Sequence, residues 1–216
     1  MKSAPSRTFV VDDHPLTRKG LCEAIAAEPN LSICGEAEGW HEALNKVVEL
    51  KPDLMILDLH LKDGNGWTLL EQLAKTQPVP PTLVLSFYDE QIYAQRLLKQ
   101  GARGYLMKDA PITQVLDAIR KILAGHIAVS DVIASRLIQA GAQGPETEQA
   151  ADEDLTALSD RELQVFEMLR EGASNKHIAD RLGISQKTIG TYKSRLMEKL
   201  GIRTSPELIA HPKPDT

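Results

Sequence analysis

The sequence predicts an α/β domain on a five-stranded parallel sheet, followed by an all-α unit of four short helices. Three observations predict it. Short β-rich apolar runs alternate with helix-period segments over the first half of the chain, the pattern of βα units. Gln139–Ala157 then brings five acids, two glycines and a proline with a single leucine in 19 residues. Beyond it the apolar spacing is helical to the end.

Taken in order, the runs are Thr8–Val11, Leu31–Cys34, Leu54–Leu57, Thr82–Leu85 and Gly104–Met107. Each is apolar on both faces, which fits strands covered by helices on either side. The helical segments between and after them are Leu16–Ala27, Trp40–Leu50, Trp67–Thr76, Glu90–Gln100 and Ile112–Ala124. Five such units make a small doubly wound domain over residues 1–125. Residues 126–157 are expected to form a linker helix and then a flexible linker. Its acidic part buries too little apolar surface to offset its ordering entropy, and 19 residues is long for a compact loop. Residues 158–216 form the second domain.

Composition removes several classes. No run approaches the ~18 apolar residues of a membrane span, and the first residues, MKSAPSRTFVVDDHP, hold no apolar core of a secretory signal. Two cysteines, Cys22 and Cys34, make neither a disulfide framework nor a thiolate zinc site. A reduced, cytoplasmic protein is expected. The net charge of −5 argues against nucleic acid only as a mean. Residues 185–203 carry five basic side chains and one acidic, a positive stripe near the C-terminal end.

Doubly wound sheets bind ligands beyond the carboxyl ends of their strands. The residues following the runs are Asp12 and Asp13, Asp58, Ser86 and Lys108. Three carboxylates held together repel one another unless a cation joins them. Oxygen-only ligands suit a hard ion such as Mg²⁺. Such a rim supports phosphoryl transfer, with Asp58 attacking phosphorus while Mg²⁺ and Lys108 neutralise the phosphoryl oxygens and Ser86 donates a hydrogen bond. Other enzyme readings fit worse. Gly64–Trp67 (GNGW) lacks the third glycine of a dinucleotide fingerprint, and Asp58-Leu59-His60 lacks the second aspartate of aspartate-nucleophile phosphatases.

The pieces VVDDHPLTRKGL, LMILDLHLKDGNG, TLVLS and GARGYLMKDA resemble the receiver domain of two-component response regulators, across residues 6–125. The resemblance implies a flavodoxin-like (βα)5 fold that catalyses only its own phosphorylation and dephosphorylation. It implies that Asp58 is the phospho-acceptor, that Asp12, Asp13, Asp58 and the main-chain carbonyl of His60 hold Mg²⁺, and that Ser86 and Lys108 contact the phosphoryl group. Ser86 and Tyr105 would form the switch, Tyr105 turning inward on phosphorylation. Lys62 stands where the family usually has proline, which leaves the loop after Asp58 less restrained in φ.

In the second domain, Ser159-x-x-Glu162 is a capping box opening a helix that Gly172 stops. A short helix over Ser174–Gly183 follows, then a longer one capped by Ser185, and a fourth near Thr204–Glu207 that Pro212 and Pro214 keep short. Two helices joined by a short glycine-containing turn form a helix-turn-helix. On the third helix Ile189, Tyr192, Leu196 and Leu200 share the inward face. Lys187, Thr191, Ser194 and Glu198 centre the outward face, with Arg195 beside it and Lys193 and Lys199 flanking it.

The pieces LSDRELQVFEML, SNKHIADRLGIS and KTIGTYKSRLMEKLGIRT resemble the DNA-binding domain of LuxR- and NarL-type regulators. With the receiver in front, the resemblance is to NarL/FixJ-type response regulators over nearly the whole chain. Thr191 and Ser194 are expected near bases. Thr188 shares the DNA face, and Lys187, Tyr192, Lys193, Arg195 and Lys199 are expected on phosphates. Gly190 replaces a side chain that the family often uses near bases. The implied partners are a sensor histidine kinase, duplex DNA, a second copy of the chain on activation and RNA polymerase. A phosphorylation-independent DNA binder and a phosphate sink with weak DNA binding are the competing readings.

Overall fold

The computed structural model describes residues 4–76, 78–143, 155 and 157–210 and divides into two compact units, Met1–Pro145 and Glu146–Thr216. In the first, β1 (Ser6–Val11), α1 (Pro15–Ala26), β2 (Leu31–Ala37), α2 (Trp40–Leu50) and β3 (Leu54–Asp58) follow one another. A two-rung hairpin, β4 (His60–Leu61) and β5 (Gly64–Asn65), leads into α3 (Gly66–Thr76). Then come β6 (Thr82–Ser86), α4 (Glu90–Lys99), β7 (Gly104–Met107), α5 (Ile112–Leu123) and α6 (Asp131–Gln143). The five long strands are parallel in the order β2-β1-β3-β6-β7. Every strand and helix that the sequence predicts in this domain is present.

Period-two alternation explains the packing. Val10, Leu54, Ile56, Leu83, Leu85 and Leu106 turn one way, onto Leu21 and Ile25 of α1 and Val115, Ile119 and Ile122 of α5. Phe9, Val11, Met55, Leu57 and Val84, also buried, are left for the other face. There the fully buried Trp67 of α3 meets Tyr93 of α4 edge-on at 6.1 Å. The chain runs from β1 outward to β2 and then back across to β3. The order therefore reverses between β1 and β3, and the carboxyl ends of these two strands flank the crevice where such sheets bind ligands.

Beyond α5 the chain returns to the sheet. Ala128 N–H donates to Arg103 O and Tyr105 N–H to Ala128 O, both at 2.9 Å, which makes a parallel bridge beside β7. Gly104 permits this approach, since a Cβ there would sit 2.7 Å from Ala128 O. α6 then packs on α4. Ser130 Oγ donates to Glu90 Oε1 at 2.6 Å, Arg136 to Gln91 Oε1 at 2.7 Å, and Ile133 is buried. The linker helix is thus part of the first unit. The expected flexible stretch is also shorter than Gln139–Ala157, because Gln139–Gln143 continue α6. The acids begin only at Glu146, and the alanines and glutamines of those five residues favour helix enough to carry it through Gly141. Residues 144–154 lie outside the described residues.

The second unit contains α7 (Asp160–Arg170), α8 (Asn175–Leu182), α9 (Gln186–Lys199) and α10 (Ser205–Ile209). Its packing starts upstream of the expected boundary, with Leu155 and Leu158 both buried. Side chains cap each start. Ser159 and Glu162 form the reciprocal box on α7, and Thr204 and Glu207 form a second on α10. Ser174 accepts from His177 N–H and Ser185 from Thr188 N–H. α8 stops because Gly183 takes φ +65°, which glycine reaches without strain. Pro212 and Pro214 lie outside the described residues. Among the described residues no helix is long and apolar enough to cross a membrane.

Candidate functional site

The rim residues converge as the strand order requires. Asp12 follows β1, Asp58 ends β3, Ser86 ends β6 and Lys108 follows β7. Lys108 Nζ lies 2.8 Å from Asp12 Oδ2 and 2.6 Å from Asp58 Oδ2, and all three side chains are 2% exposed. His60 N–H donates to Asp58 Oδ1 at 3.0 Å and His14 N–H to Asp12 Oδ1 at 2.8 Å. Burial is the largest influence on Asp58. It pushes the carboxyl up to about 6, with Asp12 adding to the rise and Lys108 opposing it.

Asp13 completes the acidic set. Ligand atoms of Asp12, Asp13, Asp58 and His14 all lie within 4.8 Å of one another. Asp13 Oδ1 is buried and accepts no hydrogen bond, although His14 Nδ1 is 2.8 Å away. An unsatisfied buried carboxylate oxygen beside two others is a donor set suited to a hard divalent cation. These residues therefore fit Mg²⁺. His14, absent from the predicted set, enters because it follows the acid pair directly. Arg18, also unforeseen, is 12% exposed and donates to Asp12 O at 2.6 Å while its other nitrogens meet Glu36 and Glu38.

Ser86 is buried and its Oγ accepts from Tyr88 N–H at 3.2 Å. Tyr105 is fully buried, and its hydroxyl donates to Tyr88 O at 2.6 Å. The expected switch aromatic is thus already inward, and burial raises its hydroxyl pKa well above the usual range. Phe87, next to Ser86, is 61% exposed with its ring centroid 5.5 Å from Lys108 Nζ. A cavity of about 580 Å³ between α1 and α5 opens beside Lys108, lined by Leu16, Leu21, Met107, Ile112 and Val115.

In the second unit Lys187, Thr191, Ser194 and Arg195 are exposed on one side of α9, while Ile189, Leu196 and Leu200 are buried on the other. Thr191 and Ser194 hydroxyls donate to the carbonyls of Lys187 and Gly190, at 3.3 and 3.2 Å, and Thr188 Oγ1 lies 2.7 Å from Ser185 Oγ. Two expectations need correction. Tyr192 is half-buried rather than a full core residue, since it sits at the edge of the inward face. Lys199 does not join the basic face. Its ammonium donates to buried Glu162 Oε2 at 2.7 Å and to Ala157 O at 3.1 Å, a tie between α9 and the start of α7. Gly190 is exposed with nothing within 4 Å of where a Cβ would stand. Gly190→Ala is expected to stabilise this unit by about 1 kcal/mol in a thermal melt, from helix propensity alone; a lower melting temperature would contradict it.

A doubly wound unit with an acid–lysine rim, followed by a capped helix-turn-helix, defines the two-domain response regulators. Residues 8–120 match the family described as "Response regulator receiver domain" and residues 156–211 that described as "Bacterial regulatory proteins, luxR family". The chain is 31% identical to the "Oxygen regulatory protein NreC" of Staphylococcus aureus over 95% of each sequence. It superposes on the RcsB response regulator of Salmonella typhimurium with a TM-score of 0.77, at 23% identity and 97% of each chain. RcsB of Salmonella enterica serovar Typhimurium bound to a promoter in the presence of the phosphomimetic BeF3⁻ gives a TM-score of 0.73, at 25% identity over 95% of this chain and 96% of that one. The chain belongs to the NarL/FixJ-type response regulators of two-component systems, with a receiver and a LuxR-type DNA-binding domain.

Proposed function

We propose that Asp58 is the phospho-acceptor and that its phosphorylation by a sensor histidine kinase controls how α9 engages promoter DNA. One observation carries the reading: Asp12 and Asp58, buried at the ends of adjacent strands, share the single ammonium of Lys108. Asp58 attacks the phosphorus of a phosphohistidine. The N–P bond breaks, an acyl phosphate forms, and the released imidazole takes its proton from solvent. Asp12, Asp13, Asp58 and the His60 carbonyl would hold Mg²⁺, which when bound supplies charge neutralisation at the phosphoryl oxygens. Lys108 exchanges its Asp58 contact for a phosphoryl oxygen, and Ser86 Oγ–H donates to another. The same groups would serve hydrolysis of the acyl phosphate. The apolar cavity between α1 and α5, with Leu16 87% exposed at its edge, suits docking of the kinase beside Asp58.

The phosphoryl group adds roughly −1.5 to −2 charge. Tyr105 already sits inward, so the group's work is to favour that position and the Ser86–Tyr88 loop bonded to it over other arrangements. The active form pairs with a second copy, and two α9 helices read half-sites about one DNA turn apart. RcsB of Salmonella enterica serovar Typhimurium is bound to promoter DNA in the presence of a phosphomimetic, which supports a link between phosphorylation and DNA binding. RNA polymerase is the downstream partner, and the protein works in the cytoplasm.

Incubation with Mg²⁺ and acetyl phosphate, followed by intact-mass measurement, tests the acceptor. On DNA, Lys187, Lys193 and Arg195 would hold phosphates, Thr188 and Tyr192 flanking them, while Thr191 and Ser194 face bases. Lys193→Ala is expected to weaken binding equally on cognate and scrambled duplexes and to flatten the salt dependence by about one unit of slope. Thr191→Ala is expected instead to narrow the gap between the two duplexes. Anisotropy titrations at several salt concentrations decide it, and the reverse pattern would reassign both residues.

A further inference from the structure

The phosphoryl reading leaves unused the contacts of the hairpin β4–β5, which runs straight on from Asp58 and turns at Lys62-Asp63. α2, which begins at Trp40, has Gly39 at its N-cap and so no side chain of its own to receive the first amides. Asp63 receives them from 23 residues away. Trp40 N–H donates to Asp63 Oδ1 at 2.8 Å and His41 N–H to Oδ2 at 3.2 Å, with the His41 ring Nδ1 3.0 Å from the same oxygen. The indole N–H of Trp40 returns a bond to Asp63 O at 3.1 Å. The fit leaves no slack: a Cβ on Gly39 would overlap the Asp63 carboxylate, and one on Gly64 would overlap the Trp40 ring. Lys62 adds an ion pair to Glu38.

We propose that Asp63 is a positioning residue for the cation site: by capping α2 it fixes the hairpin, and with it the main chain of His60. Lys62 cannot do this alone, because its φ is free where a proline ring would lock it. The cross-cap replaces that covalent restraint with two amide hydrogen bonds and a charge at a helix N-terminus. The proposal rests on reading Asp58 as the phospho-acceptor and residues 12, 13, 58 and 60 as the cation site.

The test is a Mg²⁺ titration of the full chain by tryptophan fluorescence, with the amide exchange of Trp40 and His41 as a second readout. Asp63→Ala is expected to raise the half-saturating Mg²⁺ concentration about tenfold and to speed exchange at both amides, one cap's worth of restraint being lost. Asp63→Asn keeps an acceptor for one amide and should fall between. Adding Lys62→Pro to Asp63→Ala should return the Mg²⁺ midpoint to within about threefold of wild type, since proline restores the restraint by another route. A protein whose residue 63 is only a helix cap would melt lower in Asp63→Ala while its Mg²⁺ midpoint stayed put, and that result overturns the proposal. So does a folded Asp63→Ala chain that Lys62→Pro does not restore. A wild-type chain with no Mg²⁺ response would fail at an earlier step, bringing down the cation site itself.

Discussion

Asp58→Asn is expected to gain no phosphoryl mass from acetyl phosphate and Mg²⁺ under conditions in which the wild type gains one group. The substitution is close to isosteric. The amide oxygen can keep only one of the two bonds, from His60 N–H or from Lys108, but the side chain fills the same space and Lys108 retains Asp12 as a partner. What is lost is the anionic oxygen that attacks phosphorus, and no positioning by neighbours replaces an absent nucleophile. The second readout is promoter binding. Allosteric coupling is typically worth 1–3 kcal/mol, about 5- to 150-fold in affinity. The wild type should tighten by an amount in that range after acetyl phosphate treatment, and Asp58→Asn should not move. Intact mass and anisotropy on the same samples check both. Mass uptake that persists in Asp58→Asn would transfer the acceptor role to another carboxylate, Asp13 first. Mass uptake lost with the affinity gain retained would uncouple phosphorylation from DNA binding.

What could be read from the chain depended on how local the determining physics was. The strands were legible because both faces are buried and the runs are therefore continuously apolar, Leu54–Leu57 most of all. The rim followed, since whatever comes after a parallel strand stands at the ligand-binding end. The helix-turn-helix was legible from its punctuation: Ser159 and Ser185 accept the amide bonds expected of caps, and Ser174 and Thr204, read only as helix starts, prove to cap as well. Pairings across the fold left no such trace. Asp63 reads locally as a turn residue, and only the fold brings it to the bare start of α2. Lys199 reads as one more cation on a basic helix, yet Glu162, 37 residues earlier, claims it. A charge count cannot tell these two fates apart, because a buried carboxylate competes for the same ammonium that a phosphate would use. The return of residues 126–130 to the sheet was hidden for a related reason. It is a backbone pairing through Ala128, and a single bridge carries no periodicity.

The same geometry makes Lys108 the residue whose loss should cost the fold most. Asp12 and Asp58 are buried to 2% exposure and face one ammonium at 2.8 and 2.6 Å. Removing one partner of a buried ion pair typically costs 3–5 kcal/mol, because the other charge stays desolvated. Lys108→Ala in EDTA at pH 7.5 is therefore expected to melt roughly 10 °C or more below wild type. The pH dependence has a definite sign. Burial already raises Asp58 to about 6, above its unfolded value near 3.9. A carboxyl with a raised folded pKa contributes stability below the unfolded value and loses it as pH climbs through the folded one. The metal-free wild type should thus weaken between about pH 4 and pH 6. Without the ammonium, Asp58 rises further, so the decline in Lys108→Ala should extend above pH 6 and be deeper. Saturating Mg²⁺ places a cation among the same oxygens and should recover most of the loss, since a ligand bound only by the folded state stabilises it by mass action. Thermal melts of both chains from pH 4 to pH 8, with EDTA and with Mg²⁺, measure all of this together. If Lys108→Ala melts as the wild type does in EDTA across that range, the carboxylates are not held as a charged cluster, and the cation site loses its physical basis.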